Sequence, residues 1–301
     1  MEPVPIRPVL IVGCGYVGRR LARQFIAERR QVTGLVRSAE SAAVLSALGV
    51  TVVQADLDAP EPLPPLPSGA AEVYYFASPP GEGEDDPRLR RVLAAFSGAL
   101  PHRVVYISTS GVYGDCAGGW VDESHPLNPT TPRALRRAAA EAALQAWSTA
   151  TGVPAVILRV PGIYGPGKLP LERLRKGLPL LREEDSPYTN RIQVDDLITV
   201  CRAAMRRGTP GAAYNVSDGR PSNMTDYFNR IADRTGLPRP PLVGRADIDA
   251  LSPGMRAFME ESKRLDNRRM REELGVELRY PTLEAGLDAC LSEMPPDEDA
   301  G

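Results

Sequence analysis

Short runs of apolar residues alternate with longer amphipathic segments through the first half of the chain. The runs that predict buried strands are 9–12, 31–36, 50–54, 73–76, 104–107 and 155–158. Helical patterns fall between them, with Leu21, Phe25 and Ile26 on one face of the first helix and further helices predicted at 40–48, 87–100 and 132–149. Continuous apolar strands separated by helices are typical of a parallel sheet covered on both faces. We therefore predict an α/β fold with a doubly wound parallel sheet.

The alternation becomes irregular beyond about residue 165, which predicts a smaller C-terminal substrate-binding cap. The predicted domains are 1–164 for the sheet domain and 165–294 for the cap, with 190–217 returning to the sheet domain. Residues 295–301 are acidic and poor in apolar side chains, so we predict a disordered tail. The segments 58–69 and 79–87 are rich in proline or glycine and predict surface loops.

A glycine-rich loop follows the first predicted strand and opens the first helix. It contains Gly13, Gly15 and Gly18 in the pattern GxGxxG, with Tyr16 and Val17 between the last two. The first glycine permits the tight turn, the second lets the backbone approach a pyrophosphate, and the third allows close packing of helix on strand. The free N–H groups at a helix N-terminus attract phosphate. We predict that these five residues bind a dinucleotide in a Rossmann-type domain.

The residues after the second predicted strand distinguish NADP from NAD. An NAD site carries an acidic residue about 20 positions beyond the glycine loop, where it binds the ribose 2′-hydroxyl. This chain has Arg37 and Ser38 there instead. A guanidinium binds a 2′-phosphate through paired hydrogen bonds, whereas a carboxylate would repel it. We predict NADP as the cofactor and keep NAD as the alternative. A merely solvated Arg37 is the competing interpretation.

Further motifs follow in a fixed order along the chain. They are QADL at 54–57, YFAS at 75–78, ISTSGVYG at 107–114, LRVPGIYGPG at 158–167, QVDDL at 193–197 and YNVS at 214–217. Together with the glycine loop, they resemble the extended short-chain dehydrogenase/reductase superfamily of the NAD-dependent epimerase/dehydratase type. The resemblance covers nearly the whole chain. It implies an oxidoreductase or epimerase-like activity on a small, polar, perhaps nucleotide-linked substrate.

The resemblance also implies roles for individual residues. It places Asp56 and Leu57 at the adenine, and it places four further residues against the cofactor: Ala77, Ser78, Pro161 and Ile163. Thr109 matches the hydroxyl that hydrogen-bonds the substrate oxygen, and Ser110 follows it. We predict that Thr109, Ser110 and Arg137 are the catalytic residues. A strand-end hydroxyl cap is the alternative role for Thr109.

The resemblance breaks at the catalytic pair. The superfamily carries Tyr-x-x-x-Lys on the helix after the ISTS strand, because residues at i and i+4 share one helical face. Here Arg133 and Arg137 stand at those positions. Arginine keeps its proton at working pH, so Arg133 cannot act as a general acid or base, although Arg137 can still bind ribose or phosphate. The literal match Tyr164 to Lys168 spans Gly-Pro-Gly, which cannot form the required helical turn. By the resemblance, its position matches the cofactor-wrapping loop instead.

Two functions follow from this pattern. The first is an enzyme in which Thr109 polarises a carbonyl and water or an unusual residue supplies the proton. The second is a dinucleotide-binding sensor or regulatory protein that has lost catalysis. The arginines at 133, 136 and 137 lie on the first turns of a helix. They indicate either an anionic ligand or a solvated, arginine-rich turn.

Composition narrows the function classes. The net charge is −2, which gives no basic footprint for nucleic acid. The longest apolar stretches have five residues, whereas a membrane span needs about 20, so neither a membrane span nor export is predicted. Four scattered cysteines and two histidines predict no metal site and favour a cytoplasmic protein. We expect a small-molecule substrate, with a monomer and a homodimer both open.

Overall fold

A parallel sheet of seven strands lies at the centre of the computed structural model, which describes residues 6–293. Its strands are β1 Val9–Val12, β2 Val32–Val36, β3 Thr51–Gln54, β4 Glu72–Tyr75, β5 Arg103–Thr109, β6 Ala155–Val160 and β7 Ala213–Asn215. Their order across the sheet is β7-β6-β5-β4-β1-β2-β3, and every neighbouring pair is parallel. The chain reverses its direction of progress between β1 and β4, which confirms the predicted Rossmann-type, doubly wound sheet.

The structure has ten α-helices within residues 6–293, and some of them cover the two faces of this sheet. They are α1 Tyr16–Ala27, α2 Ala39–Ala47, α3 Pro87–Ala95, α4 Pro132–Thr151, α5 Leu171–Arg175, α6 Val194–Arg207, α7 Met224–Thr235, α8 Pro253–Met259, α9 Arg268–Glu273 and α10 Leu283–Ser292. Alternate residues of each strand point to opposite faces, so Val9 and Ile11 pack with α1 and α6, whereas Leu10 and Val12 pack with α3 and α4. Both faces need apolar residues, which explains the uninterrupted apolar runs in the sequence.

The strand and helix predictions agree with the structure within a few residues, and the differences lie at element ends. The helix predicted at 87–100 ends at Ala95 and continues only as a 3-10 turn, Phe96–Gly98. The sheet also includes β7, which the apolar pattern missed because the strand has three residues. It pairs with β6, while α6 packs in the same core as α1.

The C-terminal cap has an apolar cluster of its own. Its centre includes Tyr164, Phe228, Ile231 and Leu287, which come from α7, α10 and the segment after β6. Four short strand pairs within residues 6–293 lie outside the central sheet: 162–164 with 191–193, 180–181 with 242–243, 188–189 with 222–223, and 120–121 with 264–265. The tail predicted at 295–301 lies outside the described residues, and the domain boundaries stay predictions.

A buried ion pair joins α4 to the sheet. Glu141 on α4 accepts a hydrogen bond of 2.9 Å from Arg159 Nη2 on β6, and both side chains are buried. Arg159 Nη1 also donates to the hydroxyl of Tyr113 at 2.9 Å, and that hydroxyl donates to Asn215 Oδ1 at 2.8 Å. The network connects α4, β6, β7 and the turn after β5, so their relative positions depend on one set of buried polar contacts.

Removing one member of this ion pair should destabilise the protein strongly. Glu141→Ala leaves the Arg159 guanidinium buried without its counter-charge, so we expect a loss of about 3–5 kcal/mol in the free energy of unfolding. The double variant Glu141→Leu with Arg159→Met should lose less free energy of unfolding than the single variants Glu141→Leu and Arg159→Met summed, because no charge is then left unpaired. Urea unfolding measures all of these variants.

The control is the solvent-exposed ion pair between Glu172 on α5 and Lys176, the residue that follows this helix. Glu172→Ala should leave the unfolding midpoint nearly unchanged, because exposed ion pairs contribute little. Strict additivity of the Glu141 and Arg159 variants would contradict a coupled pair.

Candidate functional site

A cleft of about 590 Å³ opens at the carboxyl ends of the central strands. This edge is where open parallel sheets bind their ligands, at the point where the strand order reverses. The residues of the predicted site that line the cleft are Gly13, Gly15, Tyr16, Val17, Gly18, Arg37, Ser38, Ala77, Ser78, Thr109, Arg137, Pro161 and Ile163. The fold therefore brings together residues that are up to 150 positions apart in the sequence.

Three predicted residues do not line this cleft. Asp56 is exposed, and its Oδ1 accepts the amide of Asp58 at 3.0 Å, as in an Asx turn. Leu57 packs against the core beneath α3 and α4. Ser110 begins the 3-10 turn that follows β5.

The cleft also contains residues that were not predicted to line it. Most stand beside predicted ones at the ends of strands: Cys14, Val36, Phe76, Ile107, Ser108 and Val160. The rule that ligands meet strand ends could have identified them. Lys168 directly follows the motif at 158–167, which the resemblance places in the cofactor-wrapping loop. Its ammonium lies 5.4 Å from the centre of the Tyr16 ring, and the Tyr16 hydroxyl donates to the carbonyl of Pro166 at 2.9 Å, so tertiary contacts bring this segment to the glycine loop.

The glycine loop has the geometry of a phosphate cradle. Gly13 has φ +83°, and a Cβ there would lie 2.4 Å from the amide nitrogen of Ala77, so no other residue fits. A Cβ on Gly15 would meet no atom within 4 Å. The N-terminus of α1 has no side-chain cap, whereas Ser38, Asp86 and Thr131 cap α2, α3 and α4. An uncapped helix start beside open space fits the pyrophosphate of a dinucleotide.

Arg37 stands at one end of the cleft, directly after β2. Its side chain is exposed, and the described part of the chain gives its guanidinium no hydrogen bond or ion pair. Its backbone carbonyl accepts a bond of 3.2 Å from the side-chain amide of Gln54. The hydroxyl of the adjacent Ser38 accepts the amide of Ser41 at 3.2 Å. The backbone around Arg37 is therefore fixed while its charged end is available to a ligand.

Thr109, Arg133 and Arg137 line the cleft beyond the end of β5. Thr109 Oγ1 accepts the amide of Gly111 at 3.2 Å, and a hydroxyl with this bond can still donate its own hydrogen. Arg137 is 6% exposed and donates to the carbonyl of Ile107 at 2.9 Å and to the hydroxyl of Tyr106 at 3.0 Å.

The interpretation of the arginines as a solvated turn is wrong for Arg136 and Arg137. Arg136 is 7% exposed and donates to the carbonyl of Gly83 at 2.7 Å. Both side chains are buried because the first turns of α4 pack across the ends of β4 and β5. Arg133, one turn before Arg137, is exposed on the cleft.

Burial shifts the acidity of several groups around the cleft. It raises the pKa of the Cys14 thiol to about 12 and that of the Tyr16 phenol above its usual range. It also raises the pKa of Tyr113 to about 12. None of these groups exchanges a proton readily near neutral pH.

Tyr164 is likewise separated from the cleft chemistry. It is buried in the apolar cluster of the cap, and its hydroxyl has no hydrogen-bond partner among residues 6–293. Burial raises its pKa far above the ordinary value. Lys168, in contrast, lines the cleft, so Tyr164 and Lys168 do not face one substrate position.

No helix within 6–293 is long and apolar enough to cross a membrane. The same residues contain no group of three or more His, Cys, Asp or Glu side chains placed to hold a metal ion.

Comparison with known proteins gives relatives over the whole chain. A solved structure of a functionally unknown conserved protein from Silicibacter pomeroyi is 34% identical, with a TM-score of 0.83 and coverage of 95% of this chain and 98% of that one. Protein YeeZ of Escherichia coli is 27% identical over 293 residues, which cover 92% of this chain and 97% of YeeZ. MoeE5 in complex with UDP-glucose and NAD is 21% identical, with a TM-score of 0.75 and coverage of 95% and 97%, and shows the fold alone.

Other curated relatives match over a shorter stretch. Human dTDP-D-glucose 4,6-dehydratase is 29% identical over 133 residues, so the match spans 38% of that enzyme and 42% of this chain. The model of the NAD dependent epimerase/dehydratase family matches residues 9–217, which include all seven strands of the central sheet and the glycine loop. The chain belongs to the NAD dependent epimerase/dehydratase family.

Proposed function

We propose that this protein binds NADP in preference to NAD and catalyses an oxidoreductase or epimerase-like reaction without a Tyr-Lys pair. One observation carries the proposal: the cleft combines an open phosphate cradle at Gly15 with an unpartnered guanidinium at Arg37. The cradle fits the pyrophosphate of any dinucleotide. Arg37 adds the donors that a 2′-phosphate requires, and no carboxylate lines the cleft to repel that phosphate.

The remaining cleft residues divide between cofactor and substrate. Ala77 and Ser78 follow β4, and Pro161 and Ile163 follow β6, so these residues flank the half of the cleft beyond the glycine loop. We assign them to the nicotinamide half of the cofactor, which supplies hydride chemistry when bound. Arg137, fixed by Tyr106 and Ile107, contributes a positive charge to the ribose or phosphates there.

Thr109 is the group that would act on the substrate. Its hydroxyl lies at the end of β5 on the cleft, where it can donate a hydrogen bond to a carbonyl oxygen. Among residues 6–293, the phenol that lines the cleft is Tyr16, whose pKa is raised by burial, so the proton comes from water. The substrate class is a small polar molecule, with sugar nucleotides the first candidates because the structurally similar MoeE5 holds UDP-glucose.

A dinucleotide-binding sensor is the second candidate function. The observation in its favour is that the Cys14 thiol and the Tyr16 phenol in the cleft both have raised pKa values and that arginines stand at positions 133 and 137. A protein that only reports the bound dinucleotide needs the cradle but no proton donor.

Turnover separates these two functions. We expect the purified protein to oxidise NADPH with at least one carbonyl compound from a panel that includes sugar nucleotides with a keto group. Thr109→Val should lower kcat by about 100-fold, the usual loss for one donor to a developing oxyanion, while Thr109→Ser keeps most of it. Tight NADPH binding with no turnover across the panel would favour the sensor.

Gly15→Val tests the phosphate cradle. The Cβ of the new side chain would meet no protein atom within 4 Å and would point into the space in front of α1, so dinucleotide binding should be lost while the melting temperature stays nearly unchanged. Gly98→Val is the matched control, because a Cβ on Gly98 also has no atom within 4 Å but lies outside the cleft. Calorimetric titration with NADPH and NADH measures both variants, and undiminished affinity of Gly15→Val would refute the cradle.

Arg37→Ala tests the cofactor preference. Loss of a charged donor to the 2′-phosphate should weaken NADPH binding by about 1.5–3 kcal/mol and leave NADH binding almost unchanged. Calorimetry with both dinucleotides provides the comparison within one variant. Equal losses for both would give Arg37 a structural role, and tighter NADH binding by the wild type would reverse the preference.

A further inference from the structure

Three guanidinium groups on the first turns of α4 lack a carboxylate partner. Arg136 donates to the carbonyl of Gly83, and Arg137 donates to the carbonyl of Ile107 and the phenol of Tyr106, all of them neutral groups. Within residues 6–293, no hydrogen bond or ion pair engages the side chain of Arg133. The start of α4 thus carries three positive charges that no carboxylate contact neutralises.

The carboxylates packed near this turn are already engaged elsewhere. Glu141, on the same helix, pairs with Arg159. Asp86 is fully buried and accepts the amide of Leu89 as the cap of α3. Asp86 influences Arg137 only through space, and burial raises the pKa of its carboxyl. Neither carboxylate forms an ion pair with the three arginines.

Arg133 is the member of this group that a ligand can reach. It is exposed and lines the cleft, whereas Arg136 and Arg137 are buried. Its pKa is lowered first by partial desolvation and then by Arg137 and Arg136. It nevertheless stays protonated at any ordinary pH. The cleft therefore presents a permanent cation that has a positively charged neighbour one helical turn away.

The start of α4 lies at the end of β5, because Arg137, one turn after Arg133, donates to the carbonyl of Ile107. The glycine loop follows β1, and Thr109 ends β5, with β4 between the two strands. Two strand spacings separate the cradle from the end of β5, which is about 10 Å. Arg37 follows β2, on the opposite side of the cradle. A dinucleotide with its phosphates at Gly15 and Arg37 leaves the cation at Arg133 uncompensated.

We propose that Arg133 binds an oxyanion of the substrate, a carboxylate or a phosphate, in the half of the cleft beside Thr109. This inference rests on the proposed function, because it assumes that the dinucleotide occupies the glycine loop. A guanidinium presents paired donors that match the two oxygens of either group. Arg137 adds a fixed positive charge one helical turn away, and Thr109 lines the same cleft, where its hydroxyl can donate to a second oxygen of the molecule.

Calorimetric titration of the NADPH-saturated protein with malonate and with inorganic phosphate tests this site. The cradle is filled beforehand, so an added anion reports the second half of the cleft. We expect Arg133→Gln to bind the preferred anion at least about tenfold more weakly, and Arg133→Lys to lie between it and the wild type. Arg90→Gln removes an exposed arginine of α3 outside the cleft and should match the wild type. The two probes distinguish a carboxylate from a phosphate.

Three results would overturn the assignment. One is equal anion affinity in the wild type and in Arg133→Gln; another is no binding of either anion to the wild type. The third is a tenfold loss of NADPH affinity in Arg133→Gln, which would assign this arginine to the cofactor. Failure of the proposed function is detected separately, because NADPH binding is measured before any anion is added. If no dinucleotide binds, the same comparison on the unloaded protein still decides whether Arg133 holds an anion.

Discussion

The close approach of the glycine loop to the end of β4 determines the form of the cleft. Gly13 lies so near the backbone of Ala77 that a single added carbon would meet it at 2.4 Å. This contact turns the chain from β1 directly into α1 and leaves the start of that helix uncapped beside open space. Every other residue of the cradle depends on that turn, because the helix N-terminus and the ends of β4 and β5 face one another only while it is in place.

Helix α4 connects the stability of the core to the chemistry of the cleft. Glu141 ties the helix to β6 through a buried ion pair, and one turn earlier Arg137 is bound to the end of β5. One more turn back, Arg133 reaches the cleft. The three residues repeat every four positions, so one face of one helix carries a structural anchor, a fixed cation and a free cation. The position of Arg133 in the cleft therefore depends on the ion pair that Glu141 forms with Arg159.

Electrostatics sets the kind of chemistry this cleft can support. Burial raises the pKa of the Cys14 thiol and the Tyr16 phenol, so both stay protonated at neutral pH. The charged side chains that line the cleft are cations: Arg37, Arg133, Arg137 and Lys168. Such a site binds and orients anionic molecules well, because positive charge in a partly desolvated cleft attracts them strongly. It offers a hydroxyl at Thr109 for hydrogen bonding and leaves proton exchange to water.

The amino-acid sequence was enough to predict the sheet and the cradle. Apolar runs marked six of the seven central strands, because a strand buried on both faces must be apolar at every position. The spacing of Gly13, Gly15 and Gly18 predicted the tight turn between β1 and α1, because only glycine permits the backbone of Gly13 to approach Ala77 so closely. Both requirements are local, so they can be recognised from residues that are close together in the sequence.

Tertiary packing decided the rest. The three-residue strand β7 carries too few positions for a pattern, and it exists because β6 offers it an edge. The motif at 158–167 predicted that the stretch before Lys168 wraps the cofactor, but the sequence did not predict the contact of Lys168 with the Tyr16 ring, which joins segments about 150 residues apart. The sequence left open whether Arg133, Arg136 and Arg137 form a solvated turn or bind an anion. The packing of α4 buries Arg136 and Arg137 and leaves Arg133, one turn nearer the start of the helix, exposed on the cleft.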